Sequence, residues 1–481
     1  MSQSSESPID HSTIPGFGVA TPTAQGASSR EIAGFLDDIE QAGIELHALL
    51  VWRDGAIVAQ GYRWPYAADR PRILHSVAKS FTACAIGLLI EEGRLSIHDR
   101  VAQFFPEIDI GHEQKCSRMT IEDLLTMRTG HSNEVSGARW RGIATSWVNE
   151  FFNIPVEHEP GTTYVYTSAA SYMLSAIVTR VTGETIHAYL KPRLFEPLGI
   201  ENERWDIGPD GINPGGNGIT ALLTDMLKLG ILHAQAGVWE GKRILPASWV
   251  EQATQPQGSE AYGYHWVIGA DYFAALGQFV QAVFVYPDHR GAIVVAGAMQ
   301  DSKVLLPHLW RRFPQAFAGA DGAVADAALA DRLAKWRAPD PIAGGVPDVS
   351  RLVGRRWIVE PNDLGVTELA FDRAGDDLLF SLTDAEGTHH IPIGAGRWIE
   401  GRSSIPGAAL HHGYRLLDAP AITGAWWSAG DRFTMVWHFV ESAFRDTVDI
   451  RLDGDRLTFD RRTNINSSAT SWPTLSATQK A

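Results

Sequence analysis

The 481-residue chain carries only two cysteines, Cys84 in an apolar stretch and Cys116 in a polar one. That excludes a disulfide framework and a cysteine-based metal site, and both thiols read as reduced bystanders. Positive charge is also short: 41 Lys and Arg against 56 Asp and Glu leave a formal net charge of -15. Phosphate backbones and anionic lipid both need a positive field, so neither nucleic acid nor a membrane surface is the expected partner, and a small molecule is. No apolar run approaches the length that crosses a bilayer. The first 27 residues, rich in Ser, Pro, Thr and Gly, have neither the basic start nor the apolar run of a secretion signal. The expectation is a flexible N-terminal segment on a cytoplasmic protein, with a homo-oligomer left open.

What is present is apolar material for large cores: 44% of residues are hydrophobic, enough for two or three domains at this length. "SSREIAGFLDDIEQAG" places Ile32, Phe35, Leu36 and Ile39 on one helical face, with a capping box from Ser28 to Glu31 and Gly43 as the stop. Two β-rich runs then meet at Asp54-Gly55, a strong hairpin signal, and a second pair meets around Pro287-Asp288. Strands at both ends with helical patterns between them predict one antiparallel sheet closed by distant segments and faced by helices. "APDPIAGGVPD" from Ala338 reads as a linker, and after it the period changes from helical to alternating, as in "DTVDIRLDGDRLTFDR". The predicted fold class is therefore α/β followed by an all-β barrel or sandwich. Its divisions are the flexible segment 1–27, an α/β domain 28–335, a linker 336–348 and a β domain 349–470.

The chemistry centres on "ILHSVAKSFTACAIGLLIEEG", an almost wholly apolar segment from 73 to 93 that carries Ser76 and Lys79 near its start. Side chains three apart on a helix share a face, with Cβ atoms about 5 to 6 Å apart, so the amine reaches the hydroxyl. At a helix start, unpaired N–H groups also favour negative charge on a bound carbonyl oxygen. Burial among Val77, Phe81 and Ile86 disfavours the ammonium relative to the amine that accepts a proton. Ser-x-x-Lys alone is a common surface pattern, but of eight lysines only Lys79 has a serine three residues before it.

"LHSVAKSFTACAIGLLIEEGRLSIHDRVAQFFPE" resembles the active-site helix of serine hydrolases related to class C β-lactamases and penicillin-binding proteins. "EPGTTYVYTSAASYMLSAIVTRVTG" resembles the second motif of that family, Tyr-x-Asn, with Tyr166 in the tyrosine place. "GINPGGNGITALLTDMLKLG" and "ILPASW" resemble segments downstream of it. Together the similar stretches span roughly residues 30 to 310 in family order. The resemblance implies a β-lactamase/transpeptidase-like domain followed by a lipocalin-like β domain. It also implies Ser76 as nucleophile, Lys79 and Tyr166 as proton carriers, and an oxyanion hole from the N–H groups of Ser76 and Gln278. No cofactor is implied.

The chain departs from the family twice. Ser168 stands where many members have asparagine, so a hydroxyl replaces an amide donor toward substrate. The third motif, a basic residue, a hydroxyl residue and glycine, is best matched by Ala275-Leu276-Gly277 and lacks its cation. A charge-assisted hydrogen bond to a substrate carboxylate is worth about 1.5 to 3 kcal/mol. Its loss points away from carboxylated antibiotics and peptides and toward neutral acyl compounds, with Gly277 letting the strand approach them.

Other candidates read as structural. His75 neighbours the nucleophile, but adjacent helical residues diverge by about 100° and do not face each other. His131, His158 and His265 are candidate cleft donors. The paired histidines at 389 and 411 lack spaced partners, so no metal is expected. Tryptophans in "GAWW" and "MVWHF" read as β core. The expected activity is ester or amide cleavage through an acyl-enzyme on Ser76. The alternatives are a β-lactamase, D-amino acid peptidase or acyltransferase with the same site, or a catalytically silent ligand-binding protein.

Overall fold

The computed structural model describes residues 16–480 except 111–113, 135–141, 338–341, 343–346 and 408–417. Helix α1 (Ser29–Gln41) starts where the Ser28 hydroxyl accepts the Glu31 N–H at 3.1 Å, and its buried face carries Ile32, Phe35, Leu36 and Ile39. Strand β1 (Gly18–Val19) precedes α1, and β2 (Leu46–Arg53) and β3 (Ala56–Tyr62) follow it. The β2–β3 turn uses Asp54 and Gly55, both at positive φ, which glycine tolerates freely and aspartate more readily than most residues.

Small strands come next: β4 (Arg72–Ile73), β5 (Arg204–Trp205) and β6 (Ile219–Ala221) form a three-stranded sheet, and β7 (Val238–Trp239) and β8 (Lys242–Arg243) form a hairpin. Strands β9 (Val267–Ile268), β10 (Phe273–Gly277), β11 (Gln281–Tyr286) and β12 (Gly291–Gly297) then return to the main sheet. Its order is β1-β3-β2-β12-β11-β10-β9, so the antiparallel β2–β12 ladder joins the two distant segments. The sheet is mixed because β1 runs parallel to β3. Residues 16–27 are thus packed rather than loose: Gly18 and Val19 pair with β3, and Ala27 is buried.

Strand alternation divides this sheet between two cores. Leu49 and Val51 face α1 and the C-terminal helices, whereas Ala48, Leu50 and Trp52 face the central helical layer. That layer is built on helix α2 (Ala78–Glu91), buried almost all round, and on the helix Ser168–Thr182, which Gly183 ends in a left-handed turn.

Ten antiparallel strands, β13 (Arg355–Val359) to β22 (Leu475–Gln479), form a nearly closed barrel around Trp357, Phe371, Phe380 and Trp437. The barrel extends past residue 470, because β22 pairs with both β13 and β21 (Arg456–Thr463). The short Ser/Thr-rich text of β22 carries little apolar alternation to betray it. Trp437 is core, as expected, while Trp427 caps the core from outside. Part of the expected linker, residues 338–341 and 343–346, lies outside the described residues.

The barrel docks on the α/β part through the turn between β19 (Arg432–Phe439) and β20 (Arg445–Asp453). Glu441 accepts the backbone N–H of Ile73 at 2.8 Å, and its carboxylate meets Arg204 at 2.6 Å. Phe444 packs edge-on against Phe279, with ring centroids 5.4 Å apart.

Candidate active site

Ser76 sits at a corner between strand and helix. From β4 the chain passes Leu74, whose N–H donates to Ile219 at 2.9 Å, and makes one tight 3₁₀ turn, His75–Val77, before α2 begins. His75 occupies the left-handed region at φ 51°. For a residue with a Cβ this costs on the order of 1 to 3 kcal/mol and persists only where the surroundings impose it. Its imidazole is buried edge-on against Phe279.

The Lys79 amine is buried, with 2% of the residue exposed. Nζ donates to Ser76 Oγ at 3.1 Å, to Ser168 Oγ at 2.9 Å and to the Gly216 carbonyl at 2.9 Å. At Gly216 a Cβ would lie 3.0 Å from both Cβ and the carbonyl oxygen of Ser168, so any larger residue would push Ser168 aside by a few tenths of an ångström. Ser168 begins the helix Ser168–Thr182 and stands behind the amine, outside the residues that line the cleft.

Tyr166 completes the cluster. Its ring lies 4.8 Å beneath Lys79 Nζ, and it lines the cleft beside Ser76. Although 37% of the residue is exposed along the cleft, burial of the phenol end pushes its pKa above the ordinary range, with the neighbouring Ser76 opposing and the Glu134 carboxylate adding to the rise. The phenol is thus held neutral at physiological pH.

The opposite wall is β10. Gly277 approaches so closely that a Cβ would come 2.3 Å from the Leu74 carbonyl, so only glycine lets this strand meet the Ser76 corner. Beyond it, Phe279 and Val280 both have positive φ, at 59° and 66°, an unusual pair of non-glycine residues in one turn. The Gln278 N–H between them and Gly277 has no intramolecular acceptor among the described residues. Ala275, in the place of the family's cation, is 2% exposed and part of the central core.

These walls enclose a cleft of about 330 Å³, lined also by Tyr262, His265 and Leu276 with Gln300, Asp301 and Ser302 toward the mouth. Among the described lining residues Lys79 is the only lysine or arginine. Of the three candidate cleft histidines, only His265 lines it. His131 is buried beside Thr129 and Phe151, and His158 is exposed. His389 pairs with Asp384 at 3.0 Å and His390 with Ser381 at 2.9 Å, while His411 lies outside the described residues.

His265 is anchored by Ser171, 3.0 Å from Nε2, and by the Ser80 hydroxyl, which donates to its carbonyl at 2.7 Å. Burial, and then the nearby Lys79, pull its pKa down to about 3. Burial alone pulls the His233 imidazole down to about 4. Both folded values lie below the unfolded value near 6.5, so the folded chain binds fewer protons than the unfolded one in mild acid. Their contribution is complete above about pH 6.5 and declines below it by about 1.4 kcal/mol per pH unit for each histidine. The thermal midpoint is expected to drop between pH 7 and pH 5, and the His233→Gln variant to drop less steeply. Parallel pH curves for the two proteins would contradict this assignment.

A mixed sheet, a helical layer behind it and a Ser–Lys–Tyr cluster at their junction make up the architecture of a β-lactamase-type hydrolase. The chain belongs to the Beta-lactamase family, which it matches over residues 32–304. It is 26% identical over 258 residues to the 6-aminohexanoate-dimer hydrolase of Paenarthrobacter ureafaciens, covering 50% of this chain and 66% of that protein. It is also 26% identical over 168 residues to the lovastatin esterase of Penicillium rubens, covering 30% of this chain and 42% of that one. The chain thus spans less than two thirds of the length of these curated relatives. The solved structure of SurE shares the fold at a TM-score of 0.50 and 17% identity, covering 83% of this chain and 94% of that one.

Gly216, Tyr262 and Gln281 are at or against the site without being singled out by the linear pattern. Gly216 had a faint signal in the Pro214-Gly215-Gly216 run. The other two enter only because strands distant in sequence converge.

Proposed function

We propose that the protein is a serine hydrolase that forms an acyl-enzyme on Ser76 and cleaves ester or amide bonds of small, neutral acyl compounds. The observation that carries this reading is the buried Lys79 Nζ at 3.1 Å from Ser76 Oγ. As an ammonium, Lys79 offers donors to Ser76, Ser168 and Gly216. As an amine it keeps the last two as acceptors and turns its lone pair to the Ser76 proton.

In the acylation step Ser76 Oγ bonds to the substrate carbonyl carbon while its proton passes to Lys79. The negative carbonyl oxygen is held by the N–H groups of Ser76 and Gln278. As the carbon–leaving-group bond breaks, Tyr166 hands a proton to the departing oxygen or nitrogen and is reprotonated from Lys79. Water then repeats the sequence on the acyl-Ser76 ester and releases the acid. Ser168 holds Lys79, and Gly277 brings the strand to the substrate.

The substrate class rests on the cleft's charge. With Ala275 in the core and Asp301 at the mouth, nothing among the described lining residues beyond Lys79 offers a cation to a carboxylate. The relatives named 6-aminohexanoate-dimer hydrolase and lovastatin esterase accord with cleavage of amide and ester bonds, whereas a 6-aminohexanoate dimer ends in a carboxylate, so the neutral-substrate part of the reading stands on the cleft's charge alone.

A fluorophosphonate probe tests the reading: stoichiometric labelling of Ser76 in the folded protein is expected, and its absence would favour a ligand-binding protein. On the same footing, p-nitrophenyl butyrate is expected to be turned over with kcat/KM at least tenfold above that for nitrocefin, which carries a carboxylate. The reverse order would overturn the neutral-substrate assignment.

A further inference from the structure

Gln281 has no exposed surface, and both ends of its amide are hydrogen-bonded. It opens β11 directly opposite Gly277, so it stands at the base of the Gln278–Val280 turn. Its Oε1 accepts from Arg72 Nε at 2.5 Å. Arg72 can only donate, which fixes the orientation of the amide and sends Nε2 the other way. Nε2 donates to the Gly297 carbonyl at 3.1 Å and, over longer distances of 3.4 and 3.5 Å, toward the carbonyls of Phe279 and Gln278.

Arg72 is itself 3% exposed and lies four residues before Ser76 on β4. Its guanidinium also contacts His47 Nδ1 at 2.8 Å and the Gly297 carbonyl at 3.1 Å. His47 continues to Glu45 at 3.1 Å, and Glu45 to Arg445 of the barrel at 3.2 Å. One polar chain, buried at Gln281, Arg72 and His47 and partly exposed at Glu45 and Arg445, therefore runs from the barrel to the strand that delivers Ser76 and the turn that carries Gln278.

A buried arginine and amide are an expensive way to fill a core, because well-packed apolar side chains of similar volume stabilise as much or more. What the pair supplies that apolar groups do not is a fixed direction. The turn it grips holds two consecutive residues in the left-handed region, an arrangement that needs outside support to persist.

We propose that Gln281, oriented by Arg72, is a positioning residue that holds the Gln278–Val280 turn so that the Gln278 N–H faces Ser76. This rests on the serine hydrolase reading for its catalytic consequence but not for its structural one. The substrate carbonyl oxygen gains charge only in the transition state, so a displaced Gln278 N–H lowers kcat and leaves KM nearly unchanged.

The test uses Gln281→Leu, which removes both contacts, and Gln281→Glu, which keeps the bond from Arg72 but loses the donors to the turn. Expected with p-nitrophenyl butyrate is a fall of about 10- to 100-fold in kcat with KM within about threefold. Affinity for phenylboronic acid, whose tetrahedral adduct on serine also needs the N–H, is expected to fall in parallel. Amide exchange is expected to quicken at Val280, whose N–H donates to Gly277 at 3.2 Å, and not in α2. If the leucine variant does not fold, the glutamate variant decides. A folded variant with unchanged Val280 exchange overturns the proposal, as does a lowered kcat with boronate affinity intact. The exchange reading holds even if the wild-type protein fails to label at Ser76, so failure of the enzyme assignment and failure of the brace are read separately.

Discussion

Lys79→Ala is expected to lower p-nitrophenyl butyrate turnover by about 10³-fold, within the range that removal of a positioned proton acceptor produces. The Ser76 hydroxyl is then left with the neutral Tyr166 phenol beside it, and a neutral phenol is a poor base. Because the amine is buried against Ser168 and Gly216, its removal also leaves a cavity. Lys79→Met separates the two effects by keeping most of the volume: it loses activity to the same degree with its circular dichroism and thermal midpoint close to wild type. Turnover within tenfold of wild type in the methionine variant would take lysine out of the mechanism.

Tyr166→Phe comes next, with a loss of about 10²-fold in kcat and little change in KM. The phenyl ring still fits beneath Lys79, so the substitution removes the hydroxyl beside Ser76 and little else. Since the phenol's pKa lies above its usual range, its ionisation contributes no limb to the pH–rate profile below about pH 10. The variant and wild type are therefore expected to give profiles of the same shape between pH 6 and 9, offset in height. A limb in that range that vanishes in the phenylalanine variant would mean that the tyrosine works as a phenolate.

The parts of this molecule readable from sequence are those governed by local rules. Three-residue spacing brought Lys79 to Ser76, Asp54-Gly55 made a hairpin, and the alternation around Gly375 and Gly454 made barrel ladders. Ser168 reads from its place two after Tyr166 as a substrate contact, and at the start of its helix its hydroxyl accepts from Lys79 at 2.9 Å. Where the text misled, long-range packing decided. The stretch from 16 to 27 has the composition of a tail, yet its β1 residues find an open edge at β3. Arg72 and Gln281 are 209 residues apart, and neither carries a motif; only the sheet brings the donor to its acceptor.

Phe279 belongs to the barrel's apolar cluster although it follows Gln278 by one position. A substitution at Phe444, which is not among the lining residues, therefore presses on the cleft wall through its aromatic contact with Phe279. The barrel thus backs the cleft wall without itself supplying a lining residue among those described.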